Sequence, residues 1–391
     1  MILLEKAIKI VLESISVKDP EEITLMEALH RIIAEDIFSD LDMPAFDRSA
    51  MDGYACKMKD IHRELKVIEV IAAGQFPQKV IHDGECSQIM TGAPIPEGAD
   101  CVLMVEDIEK TGENTIRYKK EKTKKNIRYQ GEDLKKGQIV IKAGTCLEPA
   151  HLALLATVGK AKVTVYQRPV VGIISTGDEL VEPDQIPVKS QIRNSNAYQL
   201  YGQVLKNRAI PLYFGIAEDK ADVLYNAIKN ALEKSDILLL TGGVSMGEFD
   251  YVPEIMKQLG IEIKFQKIAV QPGKPTTFGV KGQKLIFGLP GNPVSSFIQY
   301  ELVVKPAVYR IMGLNYHPAP LYLPFGIEYT RKHTERMAWF PVVLNEKGEI
   351  IPSEYHGSAH INSLADAFGI ASIEIGKSKI EKGELVHVRL I

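Results

Sequence analysis

The chain has 391 residues, of which 45% are hydrophobic and 25% charged, and its formal net charge is -3. This is the composition of an ordinary globular protein, and the length allows roughly two to four domains. The slightly acidic balance argues against a dedicated nucleic-acid binder, which usually carries a basic excess. We therefore expect no nucleic-acid partner.

Neither a leader nor a membrane segment is expected from the sequence. Charged residues such as Lys6 and Lys9 interrupt the apolar character of the opening segment, so it does not read as a signal peptide. No apolar run approaches the length of a membrane span. We expect no membrane partner.

The cysteine pattern favours isolated thiols. No two cysteines form a C-x-x-C pair, which argues against a zinc site or a disulfide framework. Buried free thiols in a reducing, cytoplasmic setting are the expected state. The four cysteines are Cys56, Cys86, Cys101 and Cys146.

The first 41 residues are predicted to form two helices. In the first, Leu4, Ile8, Val11 and Ile15 recur on one helical face. The second is predicted to begin at Thr24, because T-L-M-E has the form of a capping box.

From about residue 42 the pattern changes to a β-rich module. Its short apolar runs, such as 66–73 and 99–106, alternate with turn residues, and its far edge is predicted near Asp133. The basic run 119–125 is interpreted as a solvated loop rather than a binding patch. Two further strands, IVIKAG and AKVTVYQ, are expected on either side of a helix over 149–158.

After Arg168, buried strand patterns alternate regularly with amphipathic helices. Such alternation is typical of a parallel, doubly wound sheet. The predicted strands are VVGIIS, IPLYFGI, DILLLT, IKFQKIAV and LIFGL, and the predicted helices are 195–206, 219–234, one from about Tyr251 and a long one from Pro293.

The last 75 or so residues lose the helical pattern and return to short strands. A small β-barrel or sandwich is therefore expected at this end. Its predicted strands are LYLPFGIEYT, AWFPVVL, ASIEIG and ELVHVRLI.

Ligands of open α/β sheets bind at the carboxyl ends of the strands, and four such ends here are polar and rich in glycine. The first, 175–179, ends in two carboxylates that suit a cation or a hydroxyl, although a plain turn with a helix cap explains them equally well. The second, 241–250, holds three glycines whose amides can approach an anion. Its Asp250 is either a magnesium ligand or the N-cap of the next helix, and capping is the commoner role.

The third and fourth loops suit an anion. Lys267 and Lys274 flank a turn stiffened by Q-P-G-K-P. In the fourth loop, 288–295, Asn292 suits the N-cap and Pro293 the first position of a helix. The bare amides of that helix start form an anion site, unless the helix is simply well capped. Together the four loops predict phosphoanhydride chemistry with a divalent ion.

Seven segments of this chain, in this order, resemble the MoeA family and the E domain of gephyrin. The strongest is P-A-F-D-R-S-A-M-D-G-Y-A at 44–55, followed by M-T-G-A-P-I-P-E-G-A-D at 90–100 and N-I-R-Y-Q-G-E-D at 126–133. The four strand-end loops complete the set. The resemblance extends from about residue 40 to Ser358.

The resemblance implies a multidomain α/β fold with four domains. These are an elongated discontinuous N-terminal domain (1–41 and 134–167), a β-rich insert domain (42–133), a central doubly wound, mostly parallel α/β domain that binds molybdopterin (168–315) and a C-terminal β-barrel (316–391). It also implies a homodimer with active sites shared between the subunits.

The reaction implied is the insertion of molybdate into adenylylated molybdopterin, with magnesium required and AMP released. By the resemblance, the catalytic residues are Asp52, Thr91, Asp133, Glu179, Asp250, Lys267 and Lys274. The expected metal ligands are Glu179, Asp219 and Asp250. The expected cofactor-binding residues are Gly242, Gly243, Ser245, Pro290, Gly291, Asn292, Pro293, Arg336 and Ser358.

Two positions depart from the family pattern near the expected molybdate contacts. Gln271 stands where relatives often have lysine, and Pro341 stands where a second arginine is common after Arg336. Molybdate is a dianion, so Lys274, Arg336, Ser358 and helix amides remain suitable donors. The sequence leaves the choice between molybdate and tungstate open.

Two other functions compete with this interpretation. A molybdopterin adenylyltransferase resembles 168–315 but lacks the flanking segments, and it is also a candidate partner that delivers the pterin. A gephyrin-like scaffold without catalysis would not need the carboxylates and lysines of the loops.

Overall fold

The computed structural model describes residues 1–243, 251–353 and 357–391. The chain divides into two compact units, one made of 1–34, 144–147 and 163–391, and the other of 35–143 and 148–162. The architecture is mixed α/β, as predicted. The finer division into four domains stays a prediction.

The larger unit is built on a six-stranded mixed sheet. Four neighbouring strands are parallel. At one edge, a fifth strand pairs antiparallel with the last of these four, and a sixth pairs antiparallel with the fifth. In spatial order the strands are Ile210–Ala217, Val170–Thr176, Ile237–Thr241, Lys284–Leu289, Thr277–Lys281 and Glu262–Phe265.

Side chains of each central strand alternate between two hydrophobic clusters. Ile237 and Leu239 belong to one cluster, whereas Leu238 and Leu240 belong to the other. Each cluster is completed by helical residues, so helices cover both faces of the sheet and explain the continuous apolar strands. The helices of this unit are Leu4–Glu13, Ser195–Lys206, Ala221–Lys234, Val252–Gln258, Pro293–Gln299 and Lys305–Ile311.

The helix predicted from Pro293 is long, but its middle is irregular. A π-helical turn, Tyr300–Val304, joins its two α-helical segments. Buried Glu301 in this turn forms an ion pair with Lys305 at 2.8 Å. Arg389 from the C-terminal strand donates to the carbonyl oxygen of Glu301 at 2.8 Å.

The antiparallel strand Thr277–Lys281 was not predicted from the sequence. It pairs with Lys284–Leu289 across a two-residue turn in which Gly282 has a φ of 59°. Glycine takes up this left-handed conformation without strain, so Gly282 was the available hairpin signal.

The predicted helix from Thr24 is wrong. Thr24 ends a strand, Pro20–Thr24, and only the 3-10 turn Leu25–Glu27 follows. The capping box itself forms, since the Glu27 carboxylate accepts from the Thr24 amide and hydroxyl. Beyond it, the backbone amides of His30, Ile33 and Ala34 donate to carbonyls at 145–164, which removes these amides from any helix.

The C-terminal segment forms a second six-stranded sheet. Val270–Gln271 begins the strand order, which continues through Met337–Leu344, Gly369–Ile373, Leu385–Leu390 and Leu321–Pro324, while Ile350–Pro352 pairs with Met337–Leu344. The predicted strands 263–270 and 321–330 are each interrupted, as Glu262–Phe265 with Val270–Gln271 and Leu321–Pro324 with Tyr329–Thr330. A closed barrel is a finer statement than this order and stays a prediction.

The smaller unit is β-rich, as predicted. Its main sheet follows the spatial order Cys101–Met104, Gly53–Cys56, Glu85–Ile89, Glu64–Ile71, Thr115–Tyr118 and Ile108–Gly112. Short strand pairs join Arg48–Ser49 to Ile127–Arg128 and Ile37–Phe38 to Ile139–Ile141, and Pro149–Thr157 is helical. The basic run 119–125 lies outside the strands.

Among the described residues no cysteine forms a disulfide, and Cys56, Cys86 and Cys101 are buried. Across the described part of the chain, no helix is long and apolar enough to span a membrane.

Candidate active site

The strand-end loops gather at one edge of the larger unit's sheet. Thr176 pairs with Ala217, and Thr241 pairs with both Ser175 and Leu289, so these parallel strands end side by side. Phe265 ends a strand in line with Phe278 and Phe287, which brings the lysine loop, the third of the four, to the same edge.

A cavity of about 300 Å³ lies at this edge, which is within the range of a small-molecule site. It contains five of the residues predicted from the sequence: Glu179, Gly242, Gly291, Asn292 and Pro293. The other described residues that line it are Ser175, Thr176, Leu180, Ile192, Arg193, Asn194, Ser195, Asn196, Thr241, Ala359 and Ile361.

Glycine is required at position 242. Gly242 has a φ of 92°, and a Cβ there would overlap the carbonyl oxygen of Thr176. Gly243, with a φ of 59°, lies over the Thr176 hydroxyl in the same way. The loop therefore runs close against the neighbouring strand end. Ser245 and Asp250, predicted in the same loop, lie outside the described residues.

The helix Ser195–Lys206 begins at the cavity and is capped by Asn194. The Asn194 side chain accepts from the Ala197 amide at 3.3 Å and from the Ser175 hydroxyl at 3.0 Å. Two residues later, Asn196 donates to the Thr241 hydroxyl at 2.9 Å and to the Gly291 carbonyl at 2.7 Å. Asn196 thus joins the ends of three elements around the cavity.

Pro293 occupies the first turn of its helix, as predicted, but Asn292 does not cap that helix with its side chain. Instead, the side-chain amide of Asn292 donates to the hydroxyl of Ser358 at 3.0 Å, and the backbone amide of Val294 donates to the Ser358 carbonyl. The structure therefore brings Ser358 to the helix start, whereas Pro290 does not line the cavity among the described residues.

The predicted metal ligands follow neighbouring strands. Glu179 is exposed and its carboxylate folds back over Gly177, while Asp219 is half-buried and its amide donates to the Asp178 carboxylate at 3.0 Å. Within the described ranges, neither Glu179 nor Asp219 belongs to a group of three potential ligands whose donor atoms lie within 4.8 Å of one another.

The lysine loop meets the C-terminal sheet. Val270 and Gln271 pair with Met337 and Ala338, and the Arg336 guanidinium lies 3.5 Å from the carbonyl of Val270. The Gln271 Oε1 atom is buried and has no hydrogen-bond partner among the described residues.

The two lysines of this loop flank its turn. Lys274 is exposed and Lys267 half-buried, and the Ile268 amide donates to the Lys274 carbonyl. Pro341 is buried within the strand Met337–Leu344.

In the smaller unit, the structure brings Asp52 and Thr91 together. The Asp52 carboxylate accepts from the Thr91 amide at 2.6 Å and from its hydroxyl at 2.7 Å. These two bonds lower the pKa of Asp52, so it is an anion at neutral pH. Gly53 follows, and a Cβ there would overlap the carbonyl oxygen of Leu103, which explains the glycine of the D-G-Y sequence.

The three resembling segments of this unit converge around Arg48 and Ser49. Ser49 exchanges backbone hydrogen bonds with the 90–94 segment, and both residues pair with Ile127–Arg128. A cavity of about 530 Å³ adjoins them and contains Asp133. Its lining residues are Met43, Pro44, Arg48, Arg128, Glu132 and Asp133. Two arginines at this cavity offer donors to an anionic ligand.

Sequence reasoning missed Arg193 and Asn196 in the larger unit and assigned no role to Arg48 and Arg128 in the smaller one. Thr176 and Thr241 lay within two predicted ligand loops, but neither was singled out. Thr176 and Thr241 end buried strands, and this position was the available signal. The place of Asn196 depends on contacts with Thr241 and Gly291, which are distant in the sequence.

Three family models together match most of the chain. Residues 2–159 match the MoeA N-terminal region (domain I and II), residues 172–310 match a probable molybdopterin binding domain, and residues 328–391 match the MoeA C-terminal region (domain IV).

Curated relatives and solved structures agree with these matches. The chain is 38% identical over 388 residues to the molybdopterin molybdenumtransferase of Bacillus subtilis, covering 95% of this chain and 90% of the relative. It is 37% identical to that of Staphylococcus aureus strain Mu50, covering 94% and 90%. A crystal structure of the MoeA protein of Pyrococcus horikoshii OT3 is 30% identical with a TM-score of 0.86, and all of both chains is covered.

Proposed function

This chain belongs to the MoeA family, and we propose that it inserts molybdate into adenylylated molybdopterin and releases AMP. It is an enzyme of molybdenum cofactor biosynthesis that acts by molybdenum insertion. The observation that carries the finer proposal is the cavity at the strand ends, where glycine loops and helix starts come together with the carboxylate of Glu179.

The loops of this edge suit a phosphoanhydride. Backbone amides at a helix start attract anions, and the glycine at position 242 lets the backbone approach closely. Lys267 and Lys274, on the adjoining loop, add positive charge. The chain's own contribution is to bind and orient the adenylylated pterin and to balance the negative charge of its phosphates.

Glu179 and Asp219 fit a magnesium ion, because they are carboxylates at the ends of paired strands. When bound, magnesium would neutralise phosphate charge and polarise the anhydride. The proposed third ligand, Asp250, lies outside the described residues. Molybdate itself is a substrate, and Ser358, Arg336 and Lys274 are the donors we assign to it.

A molybdate-dependent AMP-release assay tests the reaction. Wild-type protein should release AMP from adenylylated molybdopterin only when molybdate and magnesium are both present. Glu179→Gln should lower the rate at least about tenfold, or ~1.4 kcal/mol of barrier. The matched control is Glu233→Gln, since Glu233 is exposed near the end of Ala221–Lys234, at the opposite edge of the sheet.

Two results would contradict this proposal. AMP release at the same rate with and without molybdate would indicate an adenylate hydrolase. No AMP release under any condition would favour a scaffold. Equal rates for Glu179→Gln and the Glu233→Gln control would remove Glu179 from the magnesium site.

We also propose a homodimer in which each active site is shared between subunits. Its support is that Asp52, Thr91 and Asp133 lie in one compact unit, whereas Glu179 and Lys274 lie in the other. A two-fold dimer allows the smaller unit of one copy to serve the larger unit of its partner.

Mixed dimers test this arrangement. Asp52→Ala and Glu179→Ala should each be inactive, and about half of the dimers formed by joint refolding should be mixed. In a mixed dimer one site carries both lesions and the other carries neither, so about a quarter of wild-type activity should return. With subunit exchange demonstrated, no recovery would place each site within one chain.

The adenylyltransferase of the preceding step is the partner we propose to deliver the pterin. The buried free thiols support a reducing compartment, and we propose the cytoplasm.

A further inference from the structure

Arg336, one of the donors assigned to molybdate, lies at the end of a segment without helix or strand. This segment, 331–336, leads into the strand Met337–Leu344. Regular strand pairing therefore does not set the direction in which the Arg336 side chain leaves the backbone. The contacts that set it come from Arg331, at the start of the same segment.

The Arg331 guanidinium contacts three backbone carbonyls. Its Nη1 donates to the carbonyl of Arg336 at 2.8 Å. Its Nε donates to the carbonyl of Lys377 at 2.8 Å, and its Nη2 donates to that of Glu374 at 2.6 Å. The last two carbonyls belong to the turn that follows the strand Gly369–Ile373. Arg331 thus ties the backbone of Arg336 to a neighbouring part of the C-terminal sheet.

The peptide group between Arg336 and Met337 is held at both of its polar atoms. Its oxygen accepts from Arg331, and its N–H donates to the carbonyl of Ala269 at 2.9 Å. A peptide group is planar, so two bonds on opposite sides set its orientation and with it the ψ angle of Arg336. The Arg336 side chain therefore leaves a fixed backbone, and its guanidinium lies 3.5 Å from the Val270 carbonyl of the lysine loop.

The two arginines differ in what they can still offer to a ligand. Each nitrogen of the Arg331 guanidinium already donates to a carbonyl. The Arg336 guanidinium makes one long hydrogen bond among the described residues. A guanidinium carries several N–H donors, so most of those of Arg336 remain available to an anion. Arg331 is therefore suited to hold the segment, and Arg336 to bind the ligand.

We propose that Arg331 is a positioning residue for molybdate binding. It fixes the backbone of Arg336, so that the Arg336 guanidinium meets the oxyanion in one orientation. A donor that is held in place before the ligand arrives loses less conformational entropy on binding. This inference rests on the proposed function, which assigns Arg336 to molybdate, and it adds a role for Arg331.

A double-mutant cycle tests whether Arg331 acts through Arg336. Arg331→Ala should raise the molybdate concentration for half-maximal AMP release at least about fivefold, while kcat and the half-saturating concentration of adenylylated molybdopterin stay within about twofold. In an Arg336→Ala background, Arg331→Ala should add less than about twofold, because the residue that it positions is gone. A general loss of structure would instead change all three constants and would persist in that background.

Lys379→Ala is the matched control. Lys379 pairs with Thr330, the residue before Arg331, and its ammonium group lies 2.9 Å from the Glu328 carboxylate and 2.8 Å from that of Glu381. Exposed ion pairs contribute little, so this variant should keep the wild-type molybdate requirement to within about twofold. Arg331→Lys keeps the charge without the planar fork and should raise the requirement at least about threefold. Wild-type behaviour of Arg331→Lys would show that charge alone suffices and would overturn the inference.

Calorimetric titration with molybdate gives a readout that does not depend on turnover. The dissociation constant of Arg331→Ala should rise by the same factor as its half-maximal concentration. An unchanged constant, or an equal effect of Arg331→Ala with and without Arg336, would overturn the inference. Wild-type protein that binds molybdate but releases no AMP would contradict the proposed function, and the titration would still decide the role of Arg331. Wild-type protein that binds no molybdate would contradict both.

Discussion

Tyr213 supports the cavity from outside, and removing its hydroxyl gives a sharp prediction. The hydroxyl donates to the Glu182 carboxylate at 2.7 Å and accepts from the Asn194 side-chain amide at 2.8 Å. Burial and the neighbouring Glu182 raise the pKa of Tyr213, so the hydroxyl stays protonated at neutral pH. Asn194 in turn caps the helix whose next two residues line the cavity.

The expected cost of Tyr213→Phe follows from these contacts. Asn194 is 2% exposed, so its amide would be left as an unpaired buried donor, at roughly 1–3 kcal/mol. Glu182 keeps its bond from Tyr198 at 3.1 Å and loses only the Tyr213 bond. We expect the free energy of unfolding to fall by about 2 kcal/mol. The dissociation constant for AMP should rise at least about threefold, because the helix start is less firmly held.

Urea unfolding measures the first effect, since the chain's single tryptophan, Trp339, lies in the same compact unit and its fluorescence reports that unit. Two other tyrosine-to-phenylalanine substitutions provide a scale against which the stability loss of Tyr213→Phe is compared. Tyr201→Phe removes a 40% exposed tyrosine's hydroxyl and should change stability little. Tyr198→Phe removes one exposed bond to Glu182 and should cost less than about 1 kcal/mol.

The reasoning is refuted if Tyr213→Phe is no less stable than Tyr201→Phe. A loss of stability without any loss of AMP affinity would leave the packing argument intact and would refute the link to the cavity.

Three further predictions concern other parts of the chain. Thr91→Val removes one of two donors to Asp52 and should raise the Asp52 pKa toward its ordinary value, as measured by NMR titration of the carboxyl carbon. Since the pKa of Asp52 is lowered in the folded state, the ionised carboxylate contributes fully to folding stability at neutral pH, and this contribution is lost as pH falls through that pKa. An unchanged titration of Asp52 in Thr91→Val would exclude the Thr91 hydroxyl as a cause of the lowered pKa. Gln271→Lys should lower the molybdate concentration for half-maximal AMP release by about fivefold, because a charged donor adds roughly 1 kcal/mol over a neutral one, and an unchanged requirement would argue against a direct anion contact. Lys305→Met leaves the buried Glu301 carboxylate without its ion-pair partner and should lower the free energy of unfolding in urea by about 3 kcal/mol. The Lys305→Met, Glu301→Gln double variant should recover part of that loss. Full stability of the single variant would show that the ion pair is dispensable.

Local patterns in the sequence were enough to predict most of the sheet and its edge. Continuous apolar runs such as Ile237–Thr241 identify strands buried on both faces, and Pro293 marks a helix start. Parallel strands end at the same edge, so the loops after them had to meet. The failed helix at Thr24 shows the limit, because its capping box formed while later amides found partners more than a hundred residues away.

The residues missed in the cavity share a physical cause. A local pattern indicates whether a side chain is buried, but not which distant group satisfies its polar atoms. Asn194 and Asn196 look alike in R-N-S-N, yet both ends of the Asn194 amide have hydrogen-bond partners. The Asn196 amide nitrogen donates to Thr241 and Gly291, whereas its oxygen has no partner among the described residues. That difference arises only when the start of this helix and two strand ends are brought together. The partner that satisfies a buried polar atom is therefore decided by the tertiary structure and not by the local sequence pattern.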